Sequence, residues 1–315
     1  MSEIIIYLTF LLGLILVVKG GDYFVDASTC IAKALRVPTF IIGATIVSIA
    51  TTLPEVLVSV IAAADGKTEM AVGNAVGSVI ANTGLIMSLA LVFMSIEAKR
   101  IHFMNRGILL IAAAAVLYLA CDGGELSIPG ALILLVICGL YIFENIRATK
   151  KHREPECDCS IEFDKNGKIK YALMFIGGAA GIIIGSRLLV SSGSEIAMMF
   201  NVSERVIAVT IVAVGTSLPE LVTTVSAIVK KEAGLSIGNI IGANIIDLTL
   251  ILPICSVVSG EKLPVGPGTI NIDLPAALIL TLMAMIPIFV KERGYTLQGI
   301  LMFVGYIFYL TLAVV

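Results

Sequence analysis

Apolar residues fill ten long runs of this chain, and polar residues collect in the segments between them. The runs cover about 4–33, 38–64, 69–95, 102–121, 126–147, 171–199, 204–229, 235–258, 271–290 and 296–315. Each run can cross about 30 Å of hydrocarbon as an α-helix, because a helix rises about 1.5 Å per residue. The pattern predicts an all-α polytopic membrane protein with ten transmembrane helices, the first of them interrupted at Gly20-Gly21.

Composition supports the same class of protein. The 315-residue chain is 58% hydrophobic and 14% charged, with a mean hydropathy of +1.04, whereas a soluble domain averages about 25% charged residues. A net charge of -2 without a basic tail gives no reason to expect a nucleic-acid partner. Four of the six cysteines lie in or beside apolar runs, and the pair Cys157 and Cys159 near His152 matches no standard metal-site spacing.

Basic residues are distributed unevenly between the two faces of the predicted bundle. When alternate connections are assigned to one side, sixteen of the 21 Lys and Arg residues collect there, and the other side holds only Lys67, Arg205 and Lys262. Basic residues mark the cytoplasmic side of a membrane protein. The sequence therefore predicts a multi-pass protein of the cell (plasma) membrane, with both termini extracellular and a cytoplasmic loop at 148–170.

The two halves of the chain carry copies of one motif, displaced by 165 residues. The matching pairs are Thr51/Thr216, Pro54/Pro219, Glu55/Glu220, Gly73/Gly238, Asn74/Asn239, Gly77/Gly242 and Asn82/Asp247. Five predicted spans separate the copies, so the second enters the membrane in the opposite orientation. Inverted repeats with interrupted helices are typical of secondary transporters, whose substrate sites lie near mid-membrane. We expect one five-helix repeat at 1–147, with its motif at about 41–86, and an inverted one at 171–315, with its motif at about 206–251.

Each copy places a proline and a glutamate inside a predicted span. A proline lacks an amide proton and crowds the carbonyl one turn earlier, so Pro54 and Pro219 free backbone oxygen atoms for other partners. Ser48, Thr51 and Thr52 lie at helical spacing from Glu55, and Thr216 and Ser217 repeat this arrangement before Glu220. In the span that follows each glutamate, a second polar stripe has a spacing of four residues: Asn74, Ser78 and Asn82 in the first half, and Asn239, Ala243 and Asp247 in the second. Asn74 and Asn239 could equally be ties between helices.

These oxygen atoms predict a cation site. Oxygen-only ligation suits calcium or sodium and argues against zinc, copper or iron. Glu55, Glu220 and Asp247 each cost about 2.5–3.5 kcal/mol at mid-membrane on insertion scales, and a bound cation would offset their charge.

The motifs TTLPE…GNAVGSVIAN and GTSLPE…GNIIGANIID resemble the two alpha repeats of the sodium/calcium exchanger (cation/calcium exchanger) superfamily. The ten-span layout extends the resemblance along essentially the whole chain, and the compact prokaryotic members are the most similar type. The resemblance implies an antiporter rather than an enzyme, which exchanges sodium for calcium by alternating access without a cofactor. The expected partners are Na+, Ca2+ and the lipid bilayer, and no obligatory protein partner is evident.

The resemblance also implies the ligands. The calcium site would comprise Glu55 and Glu220 with the carbonyls of Thr51 and Thr216. The middle site would be flanked by Asn82 and Asp247. An outer sodium site would comprise Ala213 (carbonyl), Thr216, Ser217, Glu220 and Ser78. An inner sodium site would comprise Ser48 (carbonyl), Thr51, Thr52 and Glu55. The long first and sixth spans would slide across this core, with Gly20 and Gly185 as flexible points.

Two positions depart from the family pattern. Position 243 is Ala where the family often has Ser, which removes a hydroxyl and puts the sodium affinity of the inner site, and the stoichiometry, in question. Position 52 is Thr where Ser is commoner.

Exchange of three sodium ions for one calcium ion would move one net charge per cycle and make calcium extrusion electrogenic.

Several alternatives stay open. Carboxylates also carry protons, so a proton/calcium antiporter is the nearest one, although Asn82 opposite Asp247 favours sodium. Potassium co-transport is another, because Asp247 occupies the position linked to potassium dependence in related exchangers. An intramembrane aspartyl protease would need the motifs YD and GxGD, which the chain lacks. A channel could use the same ligands, but two inverted, proline-broken copies favour a carrier.

Overall fold

A computed structural model describes residues 3–94, 100–151, 165–199, 213–260 and 263–314. Nine helices in these ranges are long and apolar enough to cross a membrane. This architecture confirms the predicted all-α polytopic fold. The first part of the seventh predicted span, 204–212, lies outside the described ranges, as do Cys157, Cys159 and His152.

Ten helices follow one another along the described chain. They are α1 (Glu3–Leu35), α2 (Thr39–Ala64), α3 (Thr68–Phe93), α4 (Arg100–Ala120), α5 (Ile128–Lys151), α6 (Lys165–Met199), α7 (Ala213–Thr216 and Leu218–Lys230), α8 (Ala233–Val258), α9 (Thr269–Lys291) and α10 (Thr296–Val314). Two short strands, β1 (Glu125–Leu126) and β2 (Leu263–Pro264), pair antiparallel and link the α4–α5 connection to the α8–α9 connection.

The segment expected as a loop at 148–170 is shortened at both ends by helix. Helix α5 continues to Lys151, and α6 begins at Lys165. Ala, Lys and Arg are strong helix formers, so a helix can extend past the apolar run that sets its membrane-spanning part. The apolar pattern marks the hydrocarbon-spanning stretch and not the end of the helix.

The expected interruption of the first span at Gly20-Gly21 is wrong, because α1 is one continuous helix. These glycines allow close packing instead. A Cβ atom on Gly20 would lie 2.9 Å from the carbonyl oxygen of Gly178 in α6, and one on Gly185 would lie 2.8 Å from the carbonyl oxygen of Gly13. Glycine lets two membrane helices approach backbone to backbone. Gly20 and Gly185 therefore lie at the contact between α1 and α6.

The two motif prolines affect their helices differently. Helix α2 continues through Pro54. Helix α7 is interrupted at Ser217, where φ is -87° and ψ is 8°, and resumes with Pro219 in its first turn. Proline is well tolerated in the first turn, because its missing N–H has no partner to lose there. The expected break is therefore present in the second copy, whereas the first copy stays helical through its proline.

Widened π-helical turns lie at matching places in the two halves. In α3 such a turn covers Asn82–Met87, and in α8 it covers Asp247–Ile251. The offset of 165 that relates the sequence motifs also maps Asn82 onto Asp247. A third π-helical turn, Gly43–Val47, precedes the motif of α2. Such turns are rare and frequently lie at functional sites.

Helix α8 is the centre of the bundle. Its residues from Leu235 to Ile246 are all buried, as expected of a helix that is apolar on every side. It packs closely on α2, because a Cβ atom on Gly238 would lie 2.9 Å from the amide nitrogen of Ala44 and one on Gly43 would lie 2.9 Å from the amide nitrogen of Asn239. Helix α2 of the first half and helix α8 of the second half therefore contact each other through their backbones.

Candidate cation-binding site

Four helices bring the predicted site residues into the interior. Ser48, Thr51, Thr52 and Glu55 lie on α2, Ser78 and Asn82 on α3, Thr216, Ser217 and Glu220 on or next to α7, and Asp247 on α8. Thr216 is half-buried, and every other side chain in this set is at most 2% exposed. Ala213 is the first residue of the short helical turn in α7. The structure thus collects these polar residues inside the bundle.

Two hydrogen bonds join the copies of the motif across the site. The Thr51 hydroxyl donates to Oδ1 of Asn239 over 3.1 Å, and the Thr52 hydroxyl donates to Oε1 of Glu220 over 3.4 Å. Thr51 and Thr52 precede Glu55 by about one helical turn. The glutamates of the two halves therefore face one shared region.

Three carboxylates are buried in this region without a compensating positive charge. Glu55 lies close enough to Glu220 and Asp247 for their charges to interact. Within the part of the chain that the structure describes, none of the three makes a salt bridge. Both carboxylate oxygens of Glu55, both of Asp247 and Oε2 of Glu220 have no hydrogen-bond donor there. Buried carboxylates of this kind are costly unless a cation or protons neutralise them.

Neutral oxygen atoms without a donor surround the carboxylates. Ser78 Oγ, Asn82 Oδ1, Ser217 Oγ and Asn244 Oδ1 are buried and have no hydrogen-bond partner among the described residues. In the same ranges, no three Asp, Glu, His or Cys side chains converge closely enough to hold a metal ion by themselves. Cation binding here would therefore use hydroxyl, amide and backbone oxygen atoms beside the carboxylates, a donor set that suits hard cations.

The two motif asparagines bridge helices. Asn74 Nδ2 donates to Ser59 Oγ over 2.9 Å and to the backbone oxygen of Glu55 over 3.4 Å, which ties α3 to α2. Asn239 accepts the hydrogen bond of Thr51. Of the two interpretations that the sequence left open, the tie between helices is the one these contacts support.

Sequence reasoning missed three polar residues around the site. Asn244 Nδ2 donates to the hydroxyl of Thr83 over 2.8 Å, beside Asn82 and Asp247. Asn244 precedes Asp247 by three residues, so helical spacing could have identified it. Tyr141 on α5 donates its hydroxyl proton to the backbone oxygen of Ala44. It lies outside the repeated motif, and no pattern in the sequence points to it.

Inverted motif copies, matched π-helical turns and a buried, anionic, oxygen-lined region between the halves define a class of protein, the secondary transporter of cations. A family model described as sodium/calcium exchanger protein matches residues 5–146 and 170–315. The chain therefore belongs to the sodium/calcium exchanger family. It is a multi-pass membrane transporter and not an enzyme, which confirms the expected class.

Individual relatives cover nearly the whole chain. A membrane protein of Methanocaldococcus jannaschii that is described as uncharacterized is 32% identical over 95% of this chain and 94% of its own length. The sodium/calcium exchanger MaX1 of Methanosarcina acetivorans is 28% identical, with 96% and 97% covered. A solved structure of the sodium-calcium exchanger NCX_Mj, soaked with sodium and strontium ions, superposes with a TM-score of 0.83 at 31% identity over 98% of each chain. These matches confirm the exchanger fold and the compact prokaryotic type.

Proposed function

We propose that this protein is a secondary active antiporter that exchanges sodium for calcium by alternating access and extrudes calcium electrogenically from the cell. One observation carries the proposal: five carboxylate oxygens from opposite halves of the chain are buried in one region without a donor or a positive side chain among the described residues. Family membership supports sodium and calcium as the ions.

Each ion is assigned to residues already placed in the bundle. Glu55 and Glu220, with the carbonyls of Thr51 and Thr216, form the calcium site, and Asn82 and Asp247 flank the middle position. The outer sodium site consists of the Ala213 carbonyl, Thr216, Ser217, Glu220 and Ser78. The inner sodium site consists of the Ser48 carbonyl, Thr51, Thr52 and Glu55. The interruption at Ser217 supports this assignment, because it lies within the segment from Ala213 to Glu220 that contributes four of the five residues of the outer sodium site.

Sodium and calcium compete in this scheme because both ions need the same two glutamates. A site that has lost its cations keeps up to three buried negative charges, and moving it through the low-dielectric part of the protein is costly. The loaded site is free to switch access. Competition together with this barrier couples the inward movement of one ion to the outward movement of the other.

The proposal includes the arrangement in the membrane. Residues 1–147 and 171–315 form the two inverted five-helix repeats, joined by the segment at 148–170. Because Lys and Arg collect on one side, that segment faces the cytoplasm and both termini face outward, in the cell (plasma) membrane. Extracellular thiol labelling of single cysteines placed at either end of the chain tests this orientation.

Radioactive calcium uptake into sodium-loaded proteoliposomes, diluted into buffer without sodium or potassium, tests the function. We expect uptake that requires internal sodium and is lost in Glu220→Gln. The matched control is Glu69→Gln, which neutralises an exposed glutamate in the first turn of α3 and should transport normally. Choline-loaded vesicles give the background, and sodium-independent uptake at the wild-type rate would overturn the proposal.

Two alternatives have observations in their favour and are separated in the same assay. Buried carboxylates bind protons as well as cations, so acid-loaded vesicles test a proton/calcium antiporter. Asp247, a full carboxylate at the place where the first half has Asn82, is the feature that favours potassium co-transport. Uptake that appears only after external potassium is added would identify a potassium-dependent exchanger. Flux that saturates and needs a counter-ion distinguishes all three carriers from a channel.

A further inference from the structure

Tyr141 lies on α5, outside the repeated motif, and its hydroxyl lies next to the part of α2 that leads into the proposed inner sodium site. Its side chain is 4% exposed, and its hydroxyl donates to the backbone oxygen of Ala44. Ala44 belongs to the π-helical turn Gly43–Val47 of α2, which ends directly before Ser48. The hydroxyl therefore holds the turn from which the Ser48 backbone continues.

Three helices meet at this hydroxyl. Besides the contact with Ala44, it lies near the Ser48 side chain, because a Cβ atom on Gly242 would touch both the Ser48 hydroxyl oxygen and the Tyr141 oxygen. On the side of α8, a Cβ atom on Gly242 would lie 2.8 Å from the Tyr141 oxygen. Position 242 must be small for α2, α5 and α8 to converge here. The next residue, Ala243, adds no hydroxyl to this part of the site.

A buried polar pair lies one turn away from Tyr141 on α5. Asn145 accepts a 2.7 Å hydrogen bond from Nε of Arg106 on α4. The Arg106 guanidinium is 1% exposed and lies 5.6 Å from the ring centroid of Phe40, at the start of α2. Arg106 on α4 thus contacts both α5 and the start of α2, directly before the π-helical turn that Tyr141 holds.

The Tyr141 ring belongs to the buried core of the bundle. Tyr141 borders a cavity of about 490 Å³ between α2, α5 and α8, lined mostly by apolar side chains. The hydrogen bond to the Ala44 carbonyl is the polar contact that fixes the direction of the hydroxyl.

We propose that Tyr141 is a positioning residue of the inner sodium site, which sets the direction of the Ser48 carbonyl by holding the Ala44 carbonyl of the preceding turn. A π-helical turn departs from the regular α-helical hydrogen bonding, so its carbonyl directions depend on contacts of this kind. The proposal rests on the sodium role proposed above for Ser48. Because Ala243 contributes no hydroxyl, backbone oxygen carries more of the sodium binding in this chain.

The proposal separates the two ions. The calcium site is built on Glu55, Glu220 and the carbonyls of Thr51 and Thr216, whereas the inner sodium site uses the Ser48 carbonyl, which directly follows the turn that Tyr141 holds. Removing the hydroxyl should therefore weaken sodium binding and leave calcium binding almost unchanged. A general loss of stability would weaken both.

Tyr141→Phe tests this with the ring retained. In proteoliposomes we expect the internal sodium concentration at half-maximal calcium uptake to rise about two- to tenfold, the effect of one lost neutral hydrogen bond. The calcium KM should stay within about twofold and the rate at saturating sodium should be kept. The matched control is Tyr309→Phe, which removes a hydroxyl that donates to Asp273 over 3.0 Å and should change neither ion.

A binding readout without transport runs beside it. Sodium and calcium each raise the Tm of a protein whose folded state binds them, and in Tyr141→Phe the sodium-induced rise should shrink while the calcium-induced rise remains. The proposal would be overturned if Tyr141→Phe kept the wild-type sodium dependence, or if its sodium and calcium responses changed equally. It would also be overturned if Tyr309→Phe showed the same change in sodium dependence, or if Tyr141→Phe did not fold. Wild-type protein without sodium-dependent uptake would instead refute the proposed function, and this inference with it.

Discussion

The hydroxyl of Thr52 in the first half of the chain donates to the carboxylate of Glu220 in the second half, over 3.4 Å. Thr52 is 1% exposed and Glu220 is fully buried. The bond is long for a hydroxyl donor, whose usual distance is about 2.7–2.8 Å, so the hydroxyl can also turn its oxygen towards a cation. Thr52 thus links the helix of the proposed inner sodium site to the glutamate of the proposed outer one.

Thr52→Val should weaken sodium binding, whereas a substitution that keeps the hydroxyl should not. Valine keeps the branched shape and removes the hydroxyl, which takes away a proposed sodium ligand and leaves one Glu220 oxygen without its donor. We expect a loss of about 1 kcal/mol, equivalent to about a fivefold rise in the sodium concentration at half-maximal calcium uptake. Thr52→Ser keeps the hydroxyl and should behave like the wild type; an equal effect of Ser and Val would remove the hydroxyl from the proposal.

Membrane voltage should change the exchange rate if three sodium ions leave for each calcium ion that enters the vesicle. One net positive charge then moves outward per cycle, so an inside-positive potential accelerates calcium uptake and an inside-negative potential slows it. A potential of about 60 mV contributes about 1.4 kcal/mol per charge. Uptake at clamped potentials, set with an ionophore, measures this. A rate independent of voltage would indicate electroneutral exchange of two sodium ions for one calcium ion.

Gly20→Ala should destabilise the contact between α1 and α6. The new Cβ atom would lie 2.9 Å from two backbone atoms, the oxygen of Gly178 and the nitrogen of Ile182, which cannot move aside as a flexible side chain could. Overpacking of this kind typically costs about 1–3 kcal/mol, and the Tm in detergent should fall accordingly. Gly177→Ala is the matched control, because Gly177 is exposed on α6 and nothing lies within 4 Å of its added Cβ atom. It should be neutral or stabilising.

The only ion pairs between α1 and α7 within the described ranges come from Lys230. Its Nζ lies 2.7 Å from Oδ1 of Asp26 and donates to the backbone oxygen of Asp22 over 2.6 Å. If α1 slides across the core during transport, this contact breaks once in each cycle. We therefore expect Lys230→Gln to change the maximal exchange rate and to leave the sodium and calcium affinities as they are.

Lys231→Gln serves as the control for that experiment, because Lys231 is the exposed neighbour in sequence. Exchange rates at saturating sodium and calcium, compared with the concentrations at half-maximal rate, separate the two effects. Altered affinities with an unaltered maximal rate would place Lys230 at an ion path and not at a moving contact.

The repeated motif made most of the site predictable. Pro, Glu, Gly and Asn are costly or unusual inside a membrane span, so their recurrence at one offset identified Glu55, Glu220, Asn82 and Asp247, which the structure buries together. The helix through Pro54 and the unbroken α1 were not predictable in the same way. A proline or glycine pair can equally break a helix, kink it or allow close packing, and neighbouring helices decide which occurs.

Tyr141 and Arg106 show the complementary limit of sequence reasoning. Neither belongs to the repeat, and a tyrosine inside an apolar run is ordinary in a membrane helix. Their roles come from tertiary contacts: Arg106 binds Asn145, and Tyr141 binds Ala44 on another helix. Single-sequence periodicity carries no information on such pairs, because they depend on how α4, α5 and α2 pack.

Ala243→Ser should strengthen sodium binding at the proposed inner site. Position 243 is fully buried on α8, next to the point where Gly242 approaches Ser48 and Tyr141, and serine would add the hydroxyl that the family pattern often has there. One added oxygen ligand is worth about 1 kcal/mol, so the sodium concentration at half-maximal calcium uptake should fall by about fivefold. In Ala243→Cys the new side chain is nearly the same size as serine but offers a soft sulfur atom, which sodium does not favour as a ligand. The sodium concentration at half-maximal calcium uptake should therefore stay at or above the wild-type value. A similar fall in both variants would show that volume at this position, and not a hydroxyl ligand, controls sodium affinity.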